Sequence, residues 1–281
     1  MAKLIDGKAI REYNLDKIAS EVAQLKEKGV EPALAVIIVG SDPASRVYVN
    51  NKKKACEFCG IRSLEYVMPA ETTQEELIAL IEKLNADKSV NGILCQLPLP
   101  RHLDEKAVIN PFSPEKDVDA FHPYNVGKIM IGNYSMLPCT PSGIITLLDH
   151  YGIEISGKRC VVVGRSNIVG KPMSMLLLNR NGTVTTAHSK TRNLADITRR
   201  ADILVVAVGK PKFITEDMVK EGAVVIDVGI NRVDGKLCGD VDFDNVAPKT
   251  SFITPVPGGC GLTTVAMLMK NTITAAKKQH S

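Results

Sequence analysis

Val161-Val162-Val163-Gly164-Arg165-Ser166-Asn167-Ile168-Val169-Gly170-Lys171-Pro172 is an apolar run that breaks at one glycine and restarts as a helix after a second. A buried strand, a glycine turn and a helix N-terminus in succession aim unpaired backbone N–H groups and the positive helix end at one spot, which suits a pyrophosphate. The spacing departs from the common G-x-G-x-x-G fingerprint, because five residues separate Gly164 from Gly170 and the middle glycine is missing. The segment that follows supplies the missing support.

A helix over about Met173 to Asn179 leads to Gly182-Thr183-Val184-Thr185-Thr186-Ala187-His188-Ser189-Lys190-Thr191-Arg192, a short strand ending in hydroxyl and basic groups. NAD sites place an acidic residue at this strand end for the ribose hydroxyls, whereas basic side chains accommodate a 2′-phosphate. No Asp or Glu stands here. Arg165, Ser189, Lys190 and Arg192 instead provide cationic and hydroxyl donors, which favours NADP over NAD.

Outward from this unit the chain alternates strand and helix. Leu34 to Val39 is continuously apolar and ends at Gly40, as in a strand buried on both faces of a parallel sheet. A helix from about Ala44 to Cys59 stops at Gly60, and a strand follows near Ile61 to Val67. Thr72-Thr73-Gln74-Glu75-Glu76 offers overlapping capping boxes to a helix in which Leu77, Leu80, Ile81 and Leu84 recur at helical spacing. The strand Gly92 to Gln96 then runs into Leu97-Pro98-Leu99-Pro100, completing a βαβαβ half with a parallel sheet. Residues 111–141, rich in Pro, Asp, Asn and Gly, read as loop and domain connection. A helix over Ser142 to Tyr151 precedes the nucleotide unit, which continues with strands Asp202 to Val208 and Ala223 to Val228. Thr254-Pro255-Val256-Pro257-Gly258-Gly259-Cys260-Gly261 introduces a final helix from about Thr263 to Lys277. The fold class is therefore α/β, with two lobes each able to bury its own core in a chain of 281 residues.

Composition narrows the function classes. Thirty-five basic residues against 31 acidic ones leave a net charge of +4, too mild and too dispersed for a nucleic-acid partner. No apolar run approaches the roughly 18 residues of a membrane span. The start Met1-Ala2-Lys3-Leu4-Ile5-Asp6-Gly7-Lys8 has no apolar signal core, and seven cysteines in irregular positions fit reduced thiols, so a cytoplasmic enzyme is expected. Cys56-Glu57-Phe58-Cys59 spells C-x-x-C, but no second pair accompanies it; two small apolar residues on one helix face is the better reading, and no metal site is expected.

A second constellation lies on the helix after Gly40. At about 100° per residue, Tyr48, Lys52, Ala55, Cys56 and Cys59 share one face. A lysine facing a core is desolvated, which lowers its pKa toward the range useful for proton transfer, although such a side chain can also snorkel to water. Gln96 and Gly40 both stand at carboxyl ends of strands, where ligands of open α/β sheets bind. Asp117-Val118-Asp119 would, if extended, present two carboxylates on one side. A carboxylate can grip an amidine-like edge through two parallel hydrogen bonds; a metal site and simple turn chemistry are the alternatives.

Six motifs stand in order along the chain: Tyr48-Val49-Asn50-Asn51-Lys52-Lys53-Lys54-Ala55-Cys56, Gln96-Leu97-Pro98-Leu99-Pro100, Lys116-Asp117-Val118-Asp119, Pro138-Cys139-Thr140-Pro141, the Val163–Gly170 turn and Pro255-Val256-Pro257-Gly258-Gly259. Together they resemble the bifunctional methylenetetrahydrofolate dehydrogenase/cyclohydrolase family. The resemblance runs from end to end and implies a cytosolic homodimer of folate one-carbon metabolism. It would oxidise methylenetetrahydrofolate with NADP and hydrolyse the methenyl product to formyltetrahydrofolate. It further implies a folate-binding catalytic lobe over 1–138, completed by 255–281, a Rossmann-type NADP lobe over 139–254, and one folate site in the cleft between them.

By position, the resemblance makes Lys52 the principal catalytic group, Tyr48 a ring stacked on the aminobenzoate, Gln96 the partner that orients Lys52, and Asp119 the ligand of the pterin's amino-pyrimidine edge. Pro255, Gly258 and Gly259 would let the backbone approach the folate, and Gly164, Arg165, Ser166, Ser189 and Ile230 would contact NADP. The family commonly continues Gly-Gly-Val-Gly-Pro-Met-Thr where this chain has Gly258-Gly259-Cys260-Gly261-Leu262-Thr263-Thr264, so a proline that presets φ at the helix start is lost. Tyr48-x-x-x-Lys52 also spells the catalytic pair of short-chain dehydrogenases, but there the nucleotide turn precedes the pair. A shikimate-type NADP dehydrogenase, a monofunctional member of the folate family and a non-enzymatic NADP-binding sensor are the other readings.

Overall fold

The computed structural model describes residues 2–280. The chain opens with β1 (Lys3–Leu4) and the long helix α1 (Gly7–Glu27). A βαβαβ run follows: β2 (Ala33–Val39), α2 (Pro43–Cys59), β3 (Arg62–Met68), α3 (Gln74–Ala86) and β4 (Gly92–Cys95). Helices α4 (Glu105–Ile109), α5 (Pro123–Met130) and α6 (Cys139–His150) lead to β5 (Arg159–Val163), α7 (Gly170–Asn179) and β6 (Thr183–Ala187). Then come α8 (Leu194–Thr198), β7 (Ile203–Val206), β8 (Val224–Asp227), β9 (Asn231–Val233), β10 (Lys236–Cys238), α9 (Phe243–Val246), β11 (Phe252–Ile253) and α10 (Cys260–Gln279).

Two compact units result. Residues 12–139 and 265–280 form one, and residues 2–11 with 140–264 form the other. The division differs from the expected lobes at both ends. β1 pairs in parallel with β11, which draws the N-terminal residues into the dinucleotide unit, and the Pro255–Gly259 loop stays there too.

In the first unit, three parallel strands lie in the order β3-β2-β4. β2 is buried at every position because both of its faces have a core to fill. Leu34, Val36 and Ile38 meet α1, α2 and α10 residues such as Val22, Cys56 and Met269, while Ala35, Ile37 and Val39 meet Leu77, Ile81 and Leu84 of α3. Helix boundaries follow their chemistry. Asp42 caps α2 through Ser45 N–H, Gly60 ends it in the left-handed conformation, and Thr73 with Glu76 makes a reciprocal capping box on α3.

In the second unit, six parallel strands lie in the order β1-β11-β8-β7-β5-β6. Connections run outward from β5 in both directions, to β6 on one side and β7 on the other, so the sheet has its topological switch point between β5 and β7. Open α/β sheets bind ligands outside the strand carboxyl ends at such a point.

One helix stands where the sequence reads as loop, and one hairpin stands where the sequence reading assigned no element. α5 forms inside 111–141 because Pro123 presets its first residue and His122 Nδ1 accepts the Tyr124 N–H. β9 and β10 form a hairpin whose turn residues Asp234 and Gly235 both have positive φ.

Candidate active site

Three of the polar residues singled out in the first unit converge. Lys52 projects from α2, Gln96 follows β4, and Asp119 lies in the loop after the bridge between Ile93 and Asp117. Lys52 Nζ donates to Gln96 Oε1 at 2.7 Å, and Gln96 Nε2 donates to the Leu97 carbonyl at 2.7 Å. With its amide nitrogen committed to that carbonyl, the glutamine must turn its oxygen to the lysine. Burial pushes the Lys52 ammonium below its usual pKa, and the nearby Asp119 carboxylate offsets only part of that. Burial pushes Asp119 the other way, above the usual carboxylate range, with Lys52 opposing.

The two carboxylates of the D-x-D pair do different work. Asp117 accepts the His122 N–H at 2.8 Å and Asn125 Nδ2 at 2.9 Å, so it is spent on holding its own loop. Asp119 faces Lys52 and takes a thiol contact from Cys139 Sγ at 3.5 Å. Ala120 at φ 56° marks why: the chain turns here rather than running extended. Cys139 and Cys95 join the group unannounced by spacing, and burial pushes the Cys95 thiol up to about 12. Cys139 belongs to the Pro138-Cys139-Thr140-Pro141 motif, which was the available signal. Asn271 of α10 is a further member that no local pattern reveals. Its Nδ2 donates to the Val118 and Leu137 carbonyls, both at 2.8 Å, and so ties together the segments carrying Asp119 and Cys139.

Tyr48 stands one turn before Lys52 and is 41% exposed, leaving its ring accessible. Cys56 and Cys59 are buried, with Cys56 Sγ against Met269 Sδ at 3.5 Å and Cys59 Sγ against the Leu15 carbonyl at 3.7 Å, so the C-x-x-C pair packs as apolar side chains. Among the described residues no group of three or more His, Cys, Asp or Glu side chains is placed to hold a metal ion.

In the second unit the turn after β5 tolerates no side chain at either of its glycines. Gly164 sits at φ 132°, and a Cβ there would lie 2.3 Å from the Ala207 carbonyl oxygen; at Gly170 it would lie 2.3 Å from the Gly164 oxygen. The first is a close approach across the β5–β7 switch point and the second folds the turn back on itself, and both fit a dinucleotide laid along the backbone. The donors differ from the expectation. Ser166 Oγ accepts the Val169 and Gly170 N–H groups, its carbonyl accepts Lys171 N–H, and Pro172 has none to offer. Ser166, within the five residues between the glycines, thus caps the start of α7, while Arg165 beside it is exposed.

Ser189 tops a tight turn in which Thr191 N–H donates to the His188 carbonyl and Thr191 Oγ1 accepts the His188 N–H. The β5–β6 register pairs Val163 with Ala187, so Arg165 and Ser189 leave the sheet at the same level. Ser189, Lys190 and Arg192 are all exposed there. Ile230, 48% exposed, follows β8 at the same carboxyl edge. The Pro255–Gly259 loop is closely packed: Gly7 N–H donates to the Gly258 carbonyl at 2.8 Å, and a Cβ on Gly259 would lie 2.8 Å from the Pro255 oxygen.

Comparison with known proteins accounts for both halves of this arrangement. Residues 5–119 match the model for the tetrahydrofolate dehydrogenase/cyclohydrolase catalytic domain, and residues 138–280 match that for the NAD(P)-binding domain of the same family. The bifunctional protein FolD of Agathobacter rectalis is 62% identical over 279 residues, covering 99% of this chain and 100% of that protein. The FolD methylenetetrahydrofolate dehydrogenase/cyclohydrolase structure from Campylobacter jejuni superposes with a TM-score of 0.97 at 50% identity, covering 99% of each chain. The Trypanosoma brucei FolD structure, complexed with NADP cofactor and an inhibitor, gives 0.95 at 43% identity over 99% of this chain and 98% of that one. Full-length likeness at this level leaves the shikimate-type and sensor readings without support, and the chain belongs to the tetrahydrofolate dehydrogenase/cyclohydrolase family.

Proposed function

We propose that this chain oxidises methylenetetrahydrofolate to methenyltetrahydrofolate with NADP and then hydrolyses the product to formyltetrahydrofolate, with Lys52 as the group that moves protons. The observation that carries the assignment of roles is the desolvated Lys52 amine held at 2.7 Å by an amide that has only one way to face it.

The folate carbon to be oxidised is flanked by two nitrogens whose lone pairs stabilise the cation left when hydride departs. NADP, when bound, supplies the hydride acceptor. The chain's task in this step is alignment, and the backbone cradle of Gly164 and Gly170 with Arg165, Ser166, Ser189 and Ile230 serves it. In the second step water adds to the electrophilic methenyl carbon. Neutral Lys52 takes the proton from that water and returns it to the nitrogen that leaves as the ring opens. Gln96 keeps the amine aimed, Asp119 grips the amino-pyrimidine edge, and the open ring of Tyr48 stacks on the aminobenzoate. The family resemblance also assigns Pro255, Gly258 and Gly259 to the folate, as positions where the backbone approaches it.

The chain works as a homodimer in the cytoplasm on this reading, and its seven cysteines, all present as thiols, favour a reducing compartment. Incubating the purified protein with methylenetetrahydrofolate and NADP, beside shikimate and NADP, tests the assignment. The methenyl absorbance should rise and then decay with the folate only. Accumulation without decay indicates a monofunctional dehydrogenase, and no rise at all overturns the proposal.

A further inference from the structure

Asp240 stands between β10 and α9 with no exposed surface. Its carboxylate accepts four uncharged donors: the backbone N–H groups of Val208 at 2.7 Å, Gly209 at 2.9 Å and Lys210 at 2.8 Å, and Asn231 Nδ2 at 2.9 Å. Val208, Gly209 and Lys210 directly follow Ala207, the residue whose carbonyl lies against Gly164 at the switch point. Asn231 directly follows Gly229 and Ile230 at the end of β8. One buried side chain therefore fixes the loops that leave both β7 and β8 at the sheet's carboxyl edge.

Asp240 is itself held in place. Asp227, the last residue of β8, accepts the N–H groups of Gly229, Asp240 and Val241, each at 2.9 Å. Two glycines make room for the pair. A Cβ on Gly229 would lie 2.2 Å from Asp240 Oδ1, and one on Gly239 would lie 1.9 Å from Asp227 Oδ2. Nothing in the family site described above uses either carboxylate.

The other end of the cofactor site fixes what these loops face. Ser189, Lys190 and Arg192 at the end of β6 suit the 2′-phosphate of the adenosine half, and the Gly164 turn suits the pyrophosphate. The remaining half of the dinucleotide then runs over the ends of β7 and β8. We propose that Asp240 is a positioning residue for the nicotinamide half of NADP, acting through the 208–210 backbone and the Gly229-Ile230-Asn231 segment. This rests on the NADP reading of the site.

Asp240→Asn tests it in the full chain. Whichever way the amide is turned, its NH₂ meets two N–H donors, because Oδ2 serves Val208 and Gly209 while Oδ1 serves Lys210 and Asn231. The KM for NADP should rise about tenfold or more, while hydrolysis of added methenyltetrahydrofolate, which needs no NADP, stays within about twofold. An unchanged KM for NADP, or equal proportional loss of both activities, overturns the role. Should Asp240→Asn not fold, Asn231→Ala removes one donor and keeps the carboxylate; about a threefold rise in the KM for NADP is then expected, and no rise overturns the role. A wild-type chain unable to oxidise methylenetetrahydrofolate with NADP refutes the functional reading and this role together. An active wild type beside a variant with unchanged KM refutes the role alone.

Discussion

Lys52 Nζ and Gln96 Oε1 meet at 2.7 Å, in surroundings that push the lysine's pKa below 10.5. An amine whose charged form is disfavoured by burial and whose direction is fixed is suited to act as a general base, a role worth about 10²- to 10⁴-fold. Lys52→Met keeps length and apolar bulk but removes the amine. Its expected effect is a loss of about 100-fold or more in methenyl hydrolysis, with NADP affinity by fluorescence titration nearly intact. Hydrolysis near the wild-type rate would sink the assignment.

Gln96→Glu replaces the neutral acceptor with a carboxylate at the same distance. A carboxylate favours the ammonium, so the Lys52 pKa should rise and the acid limb of the hydrolysis profile should move up by about one pH unit or more. The rate at fixed neutral pH falls accordingly and recovers on going alkaline. A uniform drop across the pH range would mean that Gln96 acts on the substrate and not on the lysine.

Asp119→Asn should move the same limb in the opposite direction. The groups facing Lys52 are Asp119, Cys139, Cys95 and Cys56, and burial outweighs all of them in setting its pKa below the usual value. Removing the Asp119 charge removes the largest influence that raises it, so the folded pKa falls further. The neutral amine then persists to lower pH, and the acid limb of kcat for hydrolysis shifts down. The KM for folate should rise at the same time if, as proposed, Asp119 holds the pterin's amino-pyrimidine edge. A limb that stays in place or moves up contradicts the coupling of the two residues.

The central strands β2 to β8 and their parallel pairing were legible because each depends on local pattern, whereas the grouping of Lys52, Gln96 and Asp119, 44 residues apart at its Lys52–Gln96 contact, was legible only through the family resemblance. β2 announces itself by seven consecutive buried positions, and Gly60 and Thr73 mark helix ends with their own chemistry. The rest depends on partners far away in sequence. Asn271 reaches the Val118 carbonyl across 153 residues, and Asp240 reaches Val208 across 32, and neither contact leaves a periodicity to read. α5 hides behind Pro123, Asn125 and Gly127, residues that usually mark loops, and Ser166 turns an apparent open helix end into a capped one. The hairpin after Asn231 is a different case, since Asp234-Gly235 is the sequence signal for such a turn.

Gly164→Ala should damage stability and cofactor binding together. The new Cβ lies 2.3 Å from the Ala207 oxygen at a φ of 132°, so both sterics and backbone conformation oppose it, at a cost of about 2–4 kcal/mol. Urea denaturation should show that loss, and the KM for NADP should rise because β5 and β7 are forced apart at the proposed dinucleotide cradle. Wild-type stability in this variant contradicts the close approach.

Arg165→Ala addresses the choice between NADP and NAD. The site carries no acidic residue at the end of β6, and Arg165 leaves β5 level with Ser189, since Val163 pairs with Ala187. A guanidinium beside a hydroxyl can hold a 2′-phosphate through charge-assisted hydrogen bonds, each worth about 1.5–3 kcal/mol. Losing one of them should lower kcat/KM for NADP by about tenfold to a hundredfold, while NAD, which has no 2′-phosphate, changes little. Selectivity, measured as the ratio of the two efficiencies, therefore collapses from the NADP side. Adding Ser189→Ala should lower it further, and by less than the arginine did, because a neutral hydroxyl contributes less than a charged fork. Equal losses with the two cofactors would place Arg165 on the pyrophosphate, which both share, and the selection of NADP would then fall to Ser189, Lys190 and Arg192.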